Sequence, residues 1–175
     1  MLNQISKNGD DNIVSANISN VLTNNEDEIY IAYSDVKKFV LLEFNFNENE
    51  LKKVKIPSEV KNFPCKFIHF SEMKKTSTDI IAYLISNNGS LLIYNITKSS
   101  INNIVLKTNS PQIVLDSCIS PNNKNILIST LNKEIFVFDI DNLKVDSNYP
   151  KCNRYITNVK FVDDNAFILL DEDNK

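Results

Sequence analysis

Apolar residues in this chain come in short runs, each closed by a cluster of Asn, Asp, Ser, Gly or Pro. Runs of this length between turn formers predict β-strands, and no stretch keeps a helical period. The clearest example spans 113–145. Apolar residues up to Ile119 meet Ser120-Pro121-Asn122-Asn123, a second run from Asn125 to Thr130 meets Leu131-Asn132-Lys133, and a third over 134–140 ends in Asp139-Ile140-Asp141-Asn142 before Leu143-Lys144-Val145. The pattern is strand, tight turn, strand, tight turn, strand, loop, strand.

The same order occurs twice before it. Strands are predicted over 12–19, 28–33, 38–46 and 51–56, then over 65–70, 79–85, 90–96 and 101–107. Asn87-Asn88-Gly89 between the second pair is a strong hairpin turn. A fourth round begins over 155–161, turns at Asp163-Asp164-Asn165 and gives one more strand over 166–170. Residues 1–11 read as a frayed lead-in, and 60–67 has room for a short turn. The units fall at 12–60, 61–110, 111–152 and 153–175, the last incomplete.

An aromatic residue followed by Asn or Asp ends the third strand of each full unit, at Phe44-Asn45, Tyr94-Asn95 and Phe138-Asp139. Four-stranded repeats of about 40–50 residues are the mark of a β-propeller. Ile80-Ile81-Ala82-Tyr83-Leu84-Ile85 and Ile135-Phe136-Val137-Phe138 are apolar on both faces, as strands covered on two sides must be. An antiparallel sandwich has similar strand spacing, and the recurring turn and aromatic pattern favours the propeller. The unit over 113–145 resembles a WD40 repeat, with Ser-Pro-Asn-Asn in place of Ser-Pro-Asp-Gly and Phe138-Asp139 in place of Trp-Asp. The fold expected is therefore all-β, a partial WD40-like β-propeller of about three and a half four-stranded blades. That number does not close a ring of the usual size. A stretch of a longer propeller is expected, or a half-ring completed by another chain. Alone it should be poorly soluble or self-associate through its uncovered end faces.

Composition narrows the function. The 175 residues are 42% hydrophobic and 23% charged, with a net charge of −3, so a core is affordable and a bulk electrostatic grip on nucleic acid is not expected. No run approaches a membrane helix, and the start lacks a secretory signal. Cys65, Cys118 and Cys152 are an odd, widely spaced set, as in a reducing compartment. The sequons at Asn17, Asn88 and Asn95 follow from an Asn-rich chain. With only two glycines, Asn takes turn positions that Gly usually holds.

No catalytic, cofactor or metal site is nominated. His69, the single histidine, sits in an apolar strand as a structural residue. Asp163-Asp164 and Asp171-Glu172-Asp173 read as solvated loop acids, and Asn88 and Asn132 as turn or blade-internal hydrogen-bonding residues. Lys52, Lys53 and Lys55, with Lys74 and Lys75, form the one candidate contact surface, for RNA phosphates or a partner. A solvated, protected edge strand with its loop is the favoured reading of them.

Further landmarks run along the chain in order: Asn-Ile-Val-Ser-Ala-Asn-Ile-Ser at 12–19, Ile-Ala-Tyr-Ser at 31–34, Glu-Leu-Lys-Lys-Val-Lys-Ile-Pro at 50–57, Phe-Ile-His-Phe-Ser-Glu at 67–72, Ser-Asn-Asn-Gly-Ser-Leu at 86–91, Ile-Phe-Val-Phe-Asp-Ile-Asp-Asn-Leu-Lys at 135–144 and Ile-Thr-Asn-Val-Lys at 156–160. With these the chain resembles the cirhin family, WD-repeat subunits of the small-subunit processome. The resemblance implies a soluble nucleolar scaffold in early ribosomal RNA processing. Its partners would be other propeller and helical-repeat subunits and pre-ribosomal RNA, with no membrane or small-molecule substrate. The alternative is a general WD40 adaptor of a ubiquitin-ligase or trafficking complex.

Overall fold

The structure, a computed structural model, describes residues 15–19, 28–34, 38–72, 79–105, 113–146, 149 and 151–173. The lead-in over 1–11, Lys74 and Lys75 lie outside them. Among the described residues fourteen strands form four antiparallel sheets, each built from one contiguous segment, with one short helix beside them. The first sheet holds β1 (Ser15–Ser19), β2 (Glu28–Ser34), β3 (Phe39–Asn45) and β4 (Glu50–Lys53). The second holds β5 (Cys65–Glu72), β6 (Ile80–Ser86), β7 (Ser90–Asn95) and β8 (Ser100–Val105). The third holds β9 (Val114–Ile119), β10 (Asn125–Thr130), β11 (Ile135–Asp139) and β12 (Lys144–Asp146). The fourth pairs β13 (Ile156–Phe161) with β14 (Phe167–Asp171).

Strand order within each sheet follows chain order, because connections of three to eight residues join antiparallel neighbours. The first strands β1, β5, β9 and β13 lie next to one another in space, in chain order, so the sheets stack from a shared inner edge. Three apolar layers glue them together. The first sheet meets the second through Ala32, Leu41, Leu84 and Tyr94. The second meets the third through Tyr83, Ile93, Ile128 and Phe138. The third meets the fourth through Leu127, Val137, Ile156 and Val159.

These layers explain the unbroken apolar runs. Along β6, Ile80, Ala82 and Leu84 face the first sheet, while Ile81, Tyr83 and Ile85 face the third. Side chains alternate across a strand, so a strand with a sheet on either side is apolar on both faces. All seven residues of β6 are buried.

The turns account for the recurring aromatic-Asn/Asp pair. The aromatic residue fills a layer, and the following side chain closes the turn to the fourth strand. Asn45 Oδ1 accepts the amides of Asn47 (2.9 Å) and Glu48 (3.1 Å), Asn95 Oδ1 that of Lys98 (2.9 Å) and Asp139 Oδ1 that of Asn142 (2.9 Å). Each turn then ends on a left-handed residue: Asn49 at φ 50°, Ser99 at 53° and Leu143 at 52°. A left-handed backbone costs a leucine about 1–2 kcal/mol, whereas Asn tolerates it. Leu143 is also 46% exposed, so it has little burial to lose. Leu143→Asn is expected to stabilise by about 0.5–1 kcal/mol, read as a higher urea midpoint at unchanged slope.

A second turn rule was not read from the sequence. Ser86 and Thr130, both buried, end second strands and close the next hairpin: Ser90 N donates to Ser86 Oγ at 2.9 Å, and Glu134 N to Thr130 Oγ1 at 3.4 Å. Gly89, at φ 81°, supplies the left-handed residue in the first of these turns.

The fourth strand of the first sheet is shorter than the expected 51–56. β4 ends at Lys53, and the segment after it enters helix α1 (Ser58–Lys61). Pro57, which has no amide hydrogen to extend a ladder, sits at that helix start with φ −57°. Val60, the one buried residue of α1, plugs the first layer beside Phe63.

Candidate functional site

Of the nominated lysines, Lys52, Lys53 and Lys55 lie among the described residues. Lys52 and Lys53 lie on β4, the outer strand of the first sheet, and Lys55 follows it; all three are exposed. Lys52 Nζ is taken up by Glu48 Oε2 at 2.6 Å and Glu50 Oε2 at 3.3 Å, and hydrogen bonds to these carboxylates raise its pKa. Lys53 and Lys55 alternate with Val54, which packs on the first layer together with Ile56. Among the described residues no ion pair holds Lys53 or Lys55. The rim is therefore mixed in charge, with two uncompensated cations.

Polar groups gather at the joints between neighbouring sheets. Ser34 Oγ donates to Cys65 O at 2.7 Å, across the first and second sheets. His69 Nε2 lies 2.8 Å from Ser117 Oγ, and Lys66 Nζ donates to Val114 O at 3.3 Å, both across the second and third. Val159 N donates to Asp116 Oδ2 at 2.8 Å, and Asn122 N to Asp164 Oδ1 at 2.8 Å, across the third and fourth. Each bond satisfies a group that stacking removes from water, and together they fix how neighbouring sheets sit. They bring together residues far apart in sequence, so only His69, as a polar residue in an apolar strand, gave a sequence signal.

His69 and Ser117 are at the distance of a base and a nucleophile. The rest of such a constellation does not accompany them. Asp116, the nearest carboxylate in sequence, points to the opposite face and holds Val159 N. Burial holds the His69 pKa down to about 4, so the ring is neutral at physiological pH. The geometry is that of a hydrogen-bonded link between sheets.

The acidic residues are likewise engaged. Asp163 Oδ1 accepts the amides of Asn165 and Ala166, each at 2.8 Å, closing the β13–β14 turn. Arg154 pairs with Asp171 at 3.9 Å and with Asp173. Among the described residues no group of three or more His, Cys, Asp or Glu could hold a metal. Asp79 is buried and takes hydrogen bonds from Lys98 and, at 3.0 Å, Asn95 Nδ2; Lys98 is the larger cause of its lowered pKa.

All three cysteines are free thiols. Burial pushes Cys65 up to about 12 and Cys118 up to about 11. Thiolates are the reactive form, so both are expected to resist a thiol reagent at pH 8 in the folded chain and to react at once in denaturant. Rapid native labelling of Cys65 would contradict its place in the first layer.

One cleft of about 510 Å³ opens between the third and fourth sheets. Val137, Asp139, Val145 and Asp146 of β11 and β12 form one wall. Phe161, Asp164 and Phe167 at the β13–β14 turn form the other, with Tyr149 between them. Tyr149 and Phe161 both stand edge-on to Phe167, at 5.7 and 6.0 Å between ring centres. Three carboxylates and one cation, Lys144, ring an aromatic floor.

Among the described residues no helix is long and apolar enough to cross a membrane. No protein-family model matches the chain, and no characterised protein does. Its fold is similar to that of the extracellular domain of a hybrid two-component system protein from B. thetaiotaomicron, with a TM-score of 0.52 and 14% identity over 82% of this chain. The matched part is 18% of that longer chain, so this chain spans a small share of it. At that identity the likeness concerns fold alone. It agrees with the stacked sheets in describing an all-β, propeller-like architecture.

Proposed function

We propose that the chain is a stretch of a WD40-like propeller, about three and a half blades long, that acts as a non-enzymatic scaffold. Its place is the small-subunit processome, in the nucleolus, during early pre-ribosomal RNA processing. The observation that carries this reading is the ordered series of landmarks resembling the cirhin family. The most specific are Glu-Leu-Lys-Lys-Val-Lys-Ile-Pro at 50–57 and the Asn-Leu-Lys that follows β11. Support comes from the stacked sheets, whose polar groups serve turns and joints. The partners are other propeller and helical-repeat subunits, with pre-ribosomal RNA touching Lys53 and Lys55.

Purification of the tagged gene product from its own cells tests this. Processome subunits should co-purify, and co-purification of none of them would remove the reading. A second reading is a general WD40 adaptor, favoured by the −3 net charge and by the capture of Lys52 between two glutamates. The K53E/K55E double variant separates the two. On the ribosomal reading it lowers RNA crosslinking while protein partners persist, because it reverses two phosphate contacts. On the adaptor reading there is no RNA crosslinking to lower.

A further inference from the structure

Both glycines of the chain follow asparagine, in Asn8-Gly9 and Asn88-Gly89. Asn8 lies outside the described residues, whereas Asn88 stands exposed at the tip of the β6–β7 hairpin. The β10–β11 hairpin supplies a counterpart. Its second strand ends on Thr130 as β6 ends on Ser86, and Asn132-Lys133 stands where Asn88-Gly89 does. Gly89 and Lys133 are both left-handed, at φ 81° and 61°. Their amides close the same turn, Gly89 N to Ser86 O and Lys133 N to Thr130 O. Two exposed asparagines therefore hold equivalent places and differ in the residue that follows.

That difference matters chemically, because an asparagine side chain is open to attack by the next residue's amide. At Asn88 the Gly89 nitrogen bonds to Cγ, the Cγ–Nδ2 bond breaks, and the Gly89 amide proton leaves with Nδ2 as ammonia. Solvent water then opens the cyclic imide. Breaking the new bond from Gly89 N to Cγ leaves aspartate. Breaking the original bond from Gly89 N to the Asn88 carbonyl carbon leaves isoaspartate, whose main chain is one atom longer. Water is the only co-reactant.

The turn shapes this reaction in opposing ways. Glycine has no Cβ to keep its nitrogen from Cγ, whereas Lys133 has one. Ser90 N donates to Asn88 Oδ1 at 3.3 Å, and so does Ser86 Oγ, whose other acceptor in reach is Ser90 O at 3.2 Å. Donors on Oδ1 draw charge from Cγ and stabilise the oxyanion formed on attack. The bond from Ser90 N also closes a ring that contains both Cγ and the Gly89 nitrogen. Against this, Gly89 is buried and its amide is engaged, so the folded turn reacts more slowly than an open chain. The restraint is weak: Gly89 N lies 3.3 Å from Ser86 O, longer than the usual range, against 3.1 Å for Lys133 N.

We infer that Asn88 is a site of spontaneous deamidation, and that its isoaspartyl product loosens the β6–β7 hairpin. Ile85 and Leu91, paired beside the turn, are buried in the second layer, and Leu84 and Leu92 in the first. Register is thus fixed on both faces, and an added main-chain atom at the tip displaces one of them. The aspartyl product keeps the length of the turn and an acceptor for Ser86 and Ser90. The inference does not depend on the ribosomal assignment.

The test ages the full chain at neutral pH, digests it in mild acid and reads the peptides holding Asn88 and Asn132 by mass spectrometry. Exchange of amide nitrogen for oxygen should appear at Asn88 about tenfold faster than at Asn132, and faster again in urea. K133G places glycine where the backbone is already left-handed, and should raise conversion of Asn132 to the rate of Asn88. The aged parent should unfold at a lower urea midpoint than the fresh chain, while N88D aged beside it keeps its midpoint. Conversion confined to urea, or equal rates at Asn88 and Asn132 in the parent, overturns the site. Asn132 unchanged in K133G overturns the part given to the following residue. An aged parent rich in isoaspartate at Asn88 but with the fresh midpoint overturns the loosening.

Discussion

Phe138→Ala is expected to cost about 3–5 kcal/mol, the usual toll of emptying an aromatic site that cannot collapse. Phe138 is fully buried and fills the layer between the second and third sheets. Domains of this kind hold about 5–15 kcal/mol in total, so the variant should lose a large share of its stability and unfold at a clearly lower denaturant midpoint. The informative contrast is Ile168→Ala. Ile168 is also an apolar strand residue, but 56% exposed, and its truncation should stay within about 0.5 kcal/mol. Denaturant unfolding followed by far-UV circular dichroism reads both. Equal losses would mean that the layers are not where the stability lies.

Acid is the second expected large effect, with His69 as the group responsible. An unfolded histidine takes up its proton near pH 6.5, but in the folded chain burial holds His69 to about 4. Between those values unfolding is coupled to proton uptake. The stability contributed by a neutral His69 is therefore complete above about pH 6.5 and falls as pH drops toward 4, by about 3 kcal/mol overall. Asp79 and Asp139, with lowered pKa values, add a separate loss below the ordinary carboxylate range. Substitution of His69 by Asn keeps a polar group facing Ser117 and removes the titration. That variant should be flat from pH 7 to 5, where the parent chain loses stability. Parallel curves would show that His69 is not the coupled group.

Much of the fold was legible because the layers write themselves into the strands. Each strand expected from the apolar runs has a counterpart in the structure, and Phe44-Asn45, Tyr94-Asn95 and Phe138-Asp139 mark three equivalent turns. The end of β4 and helix α1 were less visible, since Leu51, Val54 and Ile56 continue the apolar pattern beyond the last ladder bond. The joints were hidden for another reason. Ser34 to Cys65, His69 to Ser117 and Asp116 to Val159 are pairings between strands of different sheets, set by how the sheets stack. No local pattern encodes them. Local charge drew attention to Lys52, and its glutamate partners come from the turn geometry around Asn45. The cleft went unread because Asp139, Asp146 and Asp164 come from separate strands and turns.

Depletion of the gene product, followed by length analysis of ribosomal RNA precursors, tests the scaffold reading most directly. The account predicts accumulation of a precursor uncut at its early 5′ sites and a fall in small subunits, with large subunits maintained. Normal precursor lengths and an unchanged ratio of subunits would contradict it.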